Sequence, residues 1–306
     1  MDIKKIVPPK LRRNLMLAFS WIPDRIMLPF QYWLILHRWP NLGRARRFSE
    51  KIQVYKSVYH NDEMLDCVDK YKVRFYVENK LKTEKYLNRL YQVCDDATEI
   101  NFHELPNRFV IKTTDGGNGD NILVVKDKSK LNIDEAIIKV NSWKSRKIDK
   151  YSREWAYVGA RDSKIIVEQY LEEPENKDGS INDYKFLCYN GKFRYLWVDK
   201  NRYSDHKRGF WNEKLEFLKS VRSDHPTFDI APKLPENISE MIMVAEALAD
   251  GFPFVRVDLY NIEGQIYFGE MTFYPWSGYV QFTPDAFDEE LGKYFDLSRY
   301  KKVKNR

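Results

Sequence analysis

A lysine followed by glycines, set between two β-branched runs, restricts this 306-residue chain more than any other stretch. The segment reads Phe109-Val110-Ile111-Lys112-Thr113-Thr114-Asp115-Gly116-Gly117-Asn118-Gly119-Asp120-Asn121-Ile122-Leu123-Val124-Val125. Its flanks predict strands and its middle predicts a turn. Glycine has no Cβ, so backbone N–H groups in such a loop can approach a polyphosphate closely. Lys112, at the end of the first strand, can reach the same anion. The order excludes a P-loop, in which the lysine follows the glycines and opens a helix. It also excludes a protein kinase, whose glycines precede the lysine. Taken alone, the segment fits a polar hairpin equally well.

A second strand–turn–strand pattern lies near the C-terminus. Phe254-Val255-Arg256-Val257-Asp258-Leu259-Tyr260 is followed by Asn261-Ile262-Glu263-Gly264, then by Gln265-Ile266-Tyr267-Phe268-Gly269-Glu270-Met271-Thr272-Phe273. A three-residue loop at Ile262-Glu263-Gly264 would set Arg256 opposite Glu270 and Asp258 opposite Phe268. The strand period of two then puts Arg256, Asp258, Glu270 and Thr272 on one face, with Tyr260 and Phe268 beside them. Asp258 and Glu270 become diagonal neighbours, able to converge on a hard cation such as magnesium. The alternative is a solvated face with an Arg–Glu pair.

Together these features resemble the ATP-grasp superfamily, over most of the chain. Asp69-Lys70, opening a helix-like run, is similar to the first lysine of that superfamily, and Lys112 to the second. Lys164-Ile165-Ile166-Val167-Glu168-Gln169-Tyr170-Leu171 resembles its adenine hinge. Asp183-Tyr184-Lys185-Phe186 resembles the D-x-R/K element of peptide-forming members. Arg256-Val257-Asp258 and Glu270-Met271-Thr272 resemble the R-x-D and E-x-N elements. The likeness is closer to the TupA-like ATP-grasp proteins, named for teichuronopeptide synthesis. Phe48-Ser49-Glu50-Lys51-Ile52-Gln53, Leu105-Pro106-Asn107-Arg108-Phe109, Leu187-Cys188-Tyr189-Asn190-Gly191 and Gly269-Glu270-Met271-Thr272-Phe273 carry it. One departure is Thr272, which stands where the superfamily usually has a metal-binding Asn; this puts a two-metal site in doubt.

The resemblance implies an α+β ATP-grasp fold, two lobes holding ATP between antiparallel sheets. The nucleotide lobe is expected over about 61–171 and the metal and substrate lobe over about 172–306. The implied ATP contacts are Lys70, Lys112 and Lys185 on phosphates, with Gly116, Gly117, Asn118 and Gly119 as a lid. Glu168, Gln169, Tyr170 and Leu171 would form the hinge, and Asp183 would accept from the ribose. Asp258, Glu270 and Thr272 would hold Mg2+. Arg256 and Lys185 would serve catalysis, and Arg202 is a candidate for the substrate carboxylate. Ser277-Gly278 follows the metal strand as a turn. The implied reaction joins a carboxylate to an amine through an acyl phosphate, the work being mainly positioning and charge neutralisation. The family setting points to an amino acid or peptide attached to a uronic-acid-containing surface polysaccharide or its precursor.

Charge is unevenly placed. Residues 1–60 carry twelve Lys and Arg against three acids, a balance of +9 in a chain whose total is +6. The same stretch holds Ile26-Met27-Leu28-Pro29-Phe30-Gln31-Tyr32-Trp33-Leu34-Ile35-Leu36, too short to span a bilayer. It lacks the cleavage signature of a signal peptide. A basic aromatic segment can lie on an anionic membrane, or pack as a helical layer on the catalytic domain. Nucleic acid is not an expected partner, because no motif for it follows. Cys67, Cys94 and Cys188 lack C-x-x-C spacing and read as reduced, buried packing in a cytosolic protein. The five histidines lack ligand spacing, which argues against zinc. His103 and His206 read as surface or structural groups before substrate groups.

Along the chain, 61–95 reads as mostly helical and Ile133–Val140 as helix. Strands are expected at 164–171, 184–189 and 192–198, the last two joined at Asn190-Gly191. A helix is expected at 236–250, between Pro235 and Gly251. Two other functions fit less of the chain. A glycosyltransferase of surface-polysaccharide synthesis would suit the basic segment, but there is no D-x-D motif or Rossmann fingerprint. A non-catalytic nucleotide-binding scaffold at the membrane is the third reading, which Thr272 keeps open.

Overall fold

The computed structural model describes residues 17–115, 121–144, 152–159, 163–176 and 178–300. The glycine loop 116–119 and the first sixteen residues lie outside them. Nine strands form two antiparallel sheets among the described residues. The first contains β1 (Leu90–Cys94), β2 (Phe109–Thr113), β3 (Ile122–Val125) and β4 (Ile165–Gln169), in the order β1-β4-β2-β3. The second contains β5 (Asp183–Tyr189), β6 (Lys192–Lys200), β7 (Lys207–Asn212), β8 (Phe254–Ile262) and β9 (Gln265–Thr272), in the order β7-β6-β5-β8-β9.

The period of two divides the second sheet into an apolar and a charged face. Tyr184, Phe186, Cys188, Leu196, Val198, Val255, Val257 and Leu259 are all buried on one side. A helix, Ile238–Ala249, packs across β5, β6 and β8. It buries Met241, Val244, Ala245, Leu248 and Ala249, the i, i+3, i+4, i+7 and i+8 spacing of an apolar stripe. The other side carries Asp183, Lys185, Trp197, Asp199, Arg208, Arg256 and Asp258, which are also buried. In the first sheet, helix Ile133–Lys144 sets Ala136, Val140 and Trp143 against Phe109, Ile111, Val125, Ile165 and Val167. The helix extends one turn beyond the Ile133–Val140 expected.

The described stretch from residue 24 to 81 is mainly helical. We label its helices α1 (Asp24–Leu36), α2 (Phe48–Val58), α3 (Glu63–Val68) and α4 (Lys72–Leu81). α2 packs against Ala286–Lys293, where Ser49 donates through N and Oγ to Asp288 at 2.9 and 2.6 Å. α1 buries Met27, Leu28, Tyr32 and Leu36, and Arg153 ties its first turn through Asp24 at 2.6 Å. The three cysteines are unpaired and buried, as expected.

Two expectations need correction, and one strand was not foreseen. The 61–95 stretch is not helical throughout: Leu90–Cys94 forms β1 against β4, because Leu90, Val93 and their neighbours pair with Ile165–Glu168. β7 was not anticipated at all. The C-terminal hairpin turns in two residues, not three. Glu263 and Gly264 both have positive φ (50° and 85°), which matches the twist of the strands, and Ile262 pairs with Gln265. A bulge between Asp258 and Leu259 then shifts the register, so Asp258 faces Glu270 directly and Arg256 faces Thr272. Phe268 pairs with Leu259 on the apolar face and does not share the charged face with Tyr260.

That bulge supplies the one-residue shift that brings Glu270 and Thr272 to the same side as Asp258. Gly269 lies at this step, and a Cβ there would sit 3.0 Å from the Asp258 carbonyl and 3.2 Å from the Tyr260 ring. Gly269→Ala is expected to cost about 1–3 kcal/mol through overpacking, read as a lowered thermal midpoint. An unchanged midpoint would show that the bulge does not depend on the missing side chain.

Candidate active site

Lys112 and Glu168 form the first half of the site. Lys112 pairs with Ile166 across β2 and β4, and Glu168 pairs with Val110, so both side chains leave the same face. Lys112 Nζ donates to Glu168 Oε2 at 2.7 Å, and Arg74 on α4 approaches the other oxygen at 3.5 Å. Glu168 therefore anchors two cations before any ligand arrives. Lys70 joins them through its backbone, which donates to Thr114 O at 3.0 Å, just before the glycine loop. Burial lowers the Lys70 pKa, while the charge of Glu270 on the other sheet opposes that shift and that of Lys112 reinforces it. Lys70 thus feels both sheets at once. Next along the strand, the Gln169 backbone donates to Arg89 O and accepts from Asn88 Nδ2, each at 2.9 Å. The Arg108 guanidinium lies 4.4 Å from the Tyr170 ring. Leu171 is half-buried.

The second half is the charged face of the larger sheet. Asp258 pairs with Lys185 on one side and with Glu270 on the other. Arg256 donates through Nε and Nη2 to the two Asp258 oxygens, both at 2.6 Å. Its Nη2 also reaches Glu270 Oε1 at 2.8 Å and Thr272 Oγ1 at 2.9 Å. Lys185 Nζ donates to Asp258 Oδ2 at 2.6 Å and to Asp183 Oδ2. Arg202 adds a 3.1 Å bond to the same Asp183 oxygen. Asp183 Oδ1 is buried without a hydrogen-bond partner among the described residues, an acceptor left for a hydroxyl.

Electrostatics follow from this packing. Burial pushes the Asp258 carboxyl up from the usual carboxylate range, against the pull of Arg256 and Lys185. Burial also opposes ionisation of Glu270, yet the Arg256 and Lys185 charges hold it down at about 2. Two carboxylates and a hydroxyl form a hard-oxygen set that fits magnesium. Among the described residues no group of three or more His, Cys, Asp or Glu is placed to hold a metal, so Thr272 adds a hydroxyl and not a third acid.

The structure therefore brings together Lys185, Arg256, Asp258, Glu270, Thr272, Asp183 and Arg202. Lys112 and Glu168 meet on the two central strands of the other sheet, and Gly116–Gly119 lie outside the described residues. Sequence reasoning missed Trp197, buried in this face. The Arg256 and Arg208 guanidinium carbons lie 4.7 Å from its ring, and Trp276 stacks on it at 4.2 Å. The alternation Tyr195, Trp197, Asp199 on a strand already expected was the available signal. It also missed Lys56, fully buried, which donates to the Ser277 carbonyl and hydroxyl at 2.9 and 2.6 Å. Lys56 thus holds the turn that carries Trp276, which had read only as Ser277-Gly278. Burial lowers the Lys56 pKa to about 8.

Removing Arg256 would leave two facing carboxylates with less compensation. Arg256→Met is expected to destabilise the fold by about 3–5 kcal/mol, read as a lower urea midpoint. An unchanged midpoint would mean that the pair is not a structural hub.

A family model described as TupA-like ATPgrasp matches residues 50–296. No curated protein matches the sequence. Similar solved structures include D-alanine–D-alanine ligase from Bacillus anthracis complexed with ATP, at 16% identity over 68% of this chain and 56% of that one, TM-score 0.40. L-amino acid ligase from Bacillus licheniformis gives 16%, 89%, 57% and 0.42. N5-carboxyaminoimidazole synthetase from Staphylococcus aureus complexed with ADP gives 12%, 67%, 44% and 0.42. The chain spans about half the length of these solved proteins. By the extent of its family match, this chain belongs to the TupA-like ATP-grasp family and has the ATP-grasp fold.

Proposed function

From that membership, we propose that the protein is an ATP-dependent carboxylate–amine ligase. It phosphorylates a carboxylate and lets an amine displace phosphate from the acyl phosphate. The observation that carries the reading is the Arg256–Asp258–Lys185–Glu270 array, with Lys70 near enough to Glu270 and to Lys112 to feel the charge of both. Lys70, Lys112 and Lys185 bind phosphates, with Gly116–Gly119 as the lid. Glu168, Gln169, Tyr170 and Leu171 bind adenine, and the Asp183 Oδ1 lone pair takes a ribose hydroxyl. Asp258, Glu270 and Thr272 hold Mg2+, which supplies charge neutralisation at the transferred phosphoryl group. Arg256 stabilises negative charge at the reacting carbonyl and phosphoryl oxygens, and Arg202 receives the substrate carboxylate.

The substrates we propose are a uronic acid in a surface polysaccharide or its precursor, and an amino acid or peptide amine. ADP and phosphate release against a panel of uronic acids and amino acids tests this. Release is expected only when acid and amine are both present, with an amide as product. Lys112→Ala is expected to remove the thermal stabilisation that MgATP gives the wild type, because a charge-assisted contact worth about 1.5–3 kcal/mol is lost. ATP turnover without amide, or stabilisation that persists in the variant, would contradict the assignment.

The proposed place of action is the inner face of the cytoplasmic membrane. No helix of the described residues is long and apolar enough to cross a membrane. α1 packs one side inward and leaves Ile26, Phe30 and Trp33 exposed, with Trp21, Trp39, Arg25, Arg44 and Arg46 exposed nearby. Aromatic and basic side chains on one surface suit an anionic bilayer. Sedimentation with phosphatidylglycerol vesicles is expected to bind the protein at low salt and release it as salt rises, since charges are screened within about 8 Å at physiological ionic strength. Equal behaviour with neutral vesicles would favour a purely packing role for α1.

A further inference from the structure

The charged face continues past the expected site to the far edge of its sheet. Asp199 on β6 is the cross-strand partner of Asp183 on one side and of Arg208 on the other. It is buried and accepts from Arg208 Nε at 2.6 Å, Trp197 Nε1 at 2.9 Å and the His206 ring at 3.1 Å. His206 is half-buried and lies against His225, the ring centres 3.7 Å apart and the planes tilted by 34°. His225 is carried beside β7 by the segment whose Pro226 carbonyl accepts from Arg208 N at 2.8 Å. Trp276 Nε1 and Arg208 both donate to Asp224, next to His225. The ligand-binding and fold roles above use neither histidine.

We propose that Asp199 and His206 form a carboxylate–imidazole dyad in which His206 receives the proton of the attacking amine. The inference rests on the ligase reading. An amine is mainly an ammonium ion at neutral pH and must lose a proton before it attacks. Phosphate leaves toward the Lys70, Lys112 and metal-carboxylate end of the face, so the amine arrives from the other end. Trp197 links the two ends, with Arg256 and Arg208 both against its ring.

The carboxylate also sets the imidazole's tautomer. Burial would raise the Asp199 pKa, but the His206 hydrogen bond and the Arg208 charge hold it well below the usual carboxylate range. An ionised Asp199 takes an N–H from His206 Nε2, which leaves the Nδ1 lone pair as the base. The groups around His206 are Asp199 from β6, Lys207 and Arg208 from β7, Asp205 on its own turn, and Asp224 and His225 from the facing segment. His225 is kept toward its neutral form by burial and by the Arg208 charge. In the step, Nδ1 takes one proton from the ammonium. The freed electron pair forms the C–N bond, and the C–O bond to phosphate breaks with its pair on phosphate. Phosphate takes the second nitrogen proton, and the amide keeps the third.

Hydroxylamine separates base catalysis from everything upstream, because it is already largely unprotonated at neutral pH and traps an acyl phosphate as a hydroxamate. The test compares hydroxamate and amide formation in wild type and His206→Gln, with an acid that supports ADP release. Glutamine can still donate to Asp199. Amide formation is expected to fall by about 10²–10⁴-fold while hydroxamate formation stays within about twofold. The remaining amide rate should rise steeply with pH as free amine accumulates. His225→Gln serves as the control and is expected to leave both products within about fivefold. Unchanged amide formation in His206→Gln, or an equal fall in both products, would overturn the dyad. Should His206→Gln lose MgATP stabilisation, the same comparison is made with His206→Asn, and the same outcomes decide. A wild type that yields neither ADP nor hydroxamate with any acid overturns the ligase reading, and the dyad with it.

Discussion

Arg256 is the interaction on which the rest of the site depends. One buried guanidinium bonds Asp258 through two nitrogens, reaches Glu270 and Thr272 on the next strand, and lies against Trp197. Two carboxylates facing each other across adjacent strands repel at short range, and burial strengthens that repulsion. The cation makes their approach tolerable. On the proposed function it also holds them where a divalent cation would bind, so the same geometry would serve the folded state and the ligand. A site of this kind is poised, because magnesium and phosphate would compete with Arg256 for the oxygens it now occupies.

The sheet beneath supplies the rigidity. Strands β5, β6 and β8 turn their apolar residues toward helix Ile238–Ala249 and their charged ones to the opposite face, so the charged face cannot move without unpacking a core. Lys56 plays a comparable part from α2. It places a buried ammonium among oxygens of the turn at Ser277, and that turn, with Trp276 at φ 50° and Ser277 at φ 56°, holds an aromatic ring over Trp197. A left-handed backbone at two successive non-glycine residues costs free energy, and the buried ammonium offsets it.

Much of this was legible in the chain. Period-two alternation around Arg256 and Asp258, the Asn190-Gly191 turn and the β-branched run at Ile165–Val167 each report local preference, and each forms the expected element. The parity of the C-terminal hairpin was right for a reason the sequence conceals. A shorter turn and an added bulge residue cancel, so Glu270 and Thr272 reach the proper face by a different register. Local pattern encodes the period of a strand, but not where its partner slips by one residue. β1 and β7 were hidden because short strands with mixed polarity take their identity from the neighbour they pair with. Trp197, Asp199 and Arg208 escaped because their significance arises only when three strands lie side by side. Lys56 resembled any helix lysine until the turn it holds was in place.

On the proposed function, MgATP lies between the two sheets, with its metal on the Asp258–Glu270 pair. A crystal structure with Mg2+ and a non-hydrolysable ATP analogue tests it most directly. The analogue's phosphates are expected against Lys70, Lys112 and Lys185, with a magnesium ion on Asp258 and Glu270 and Arg256 withdrawn from its Glu270 contact. An analogue bound elsewhere, or one bound in the cleft with the Arg256–Glu270 bond intact and no metal on either carboxylate, would contradict it.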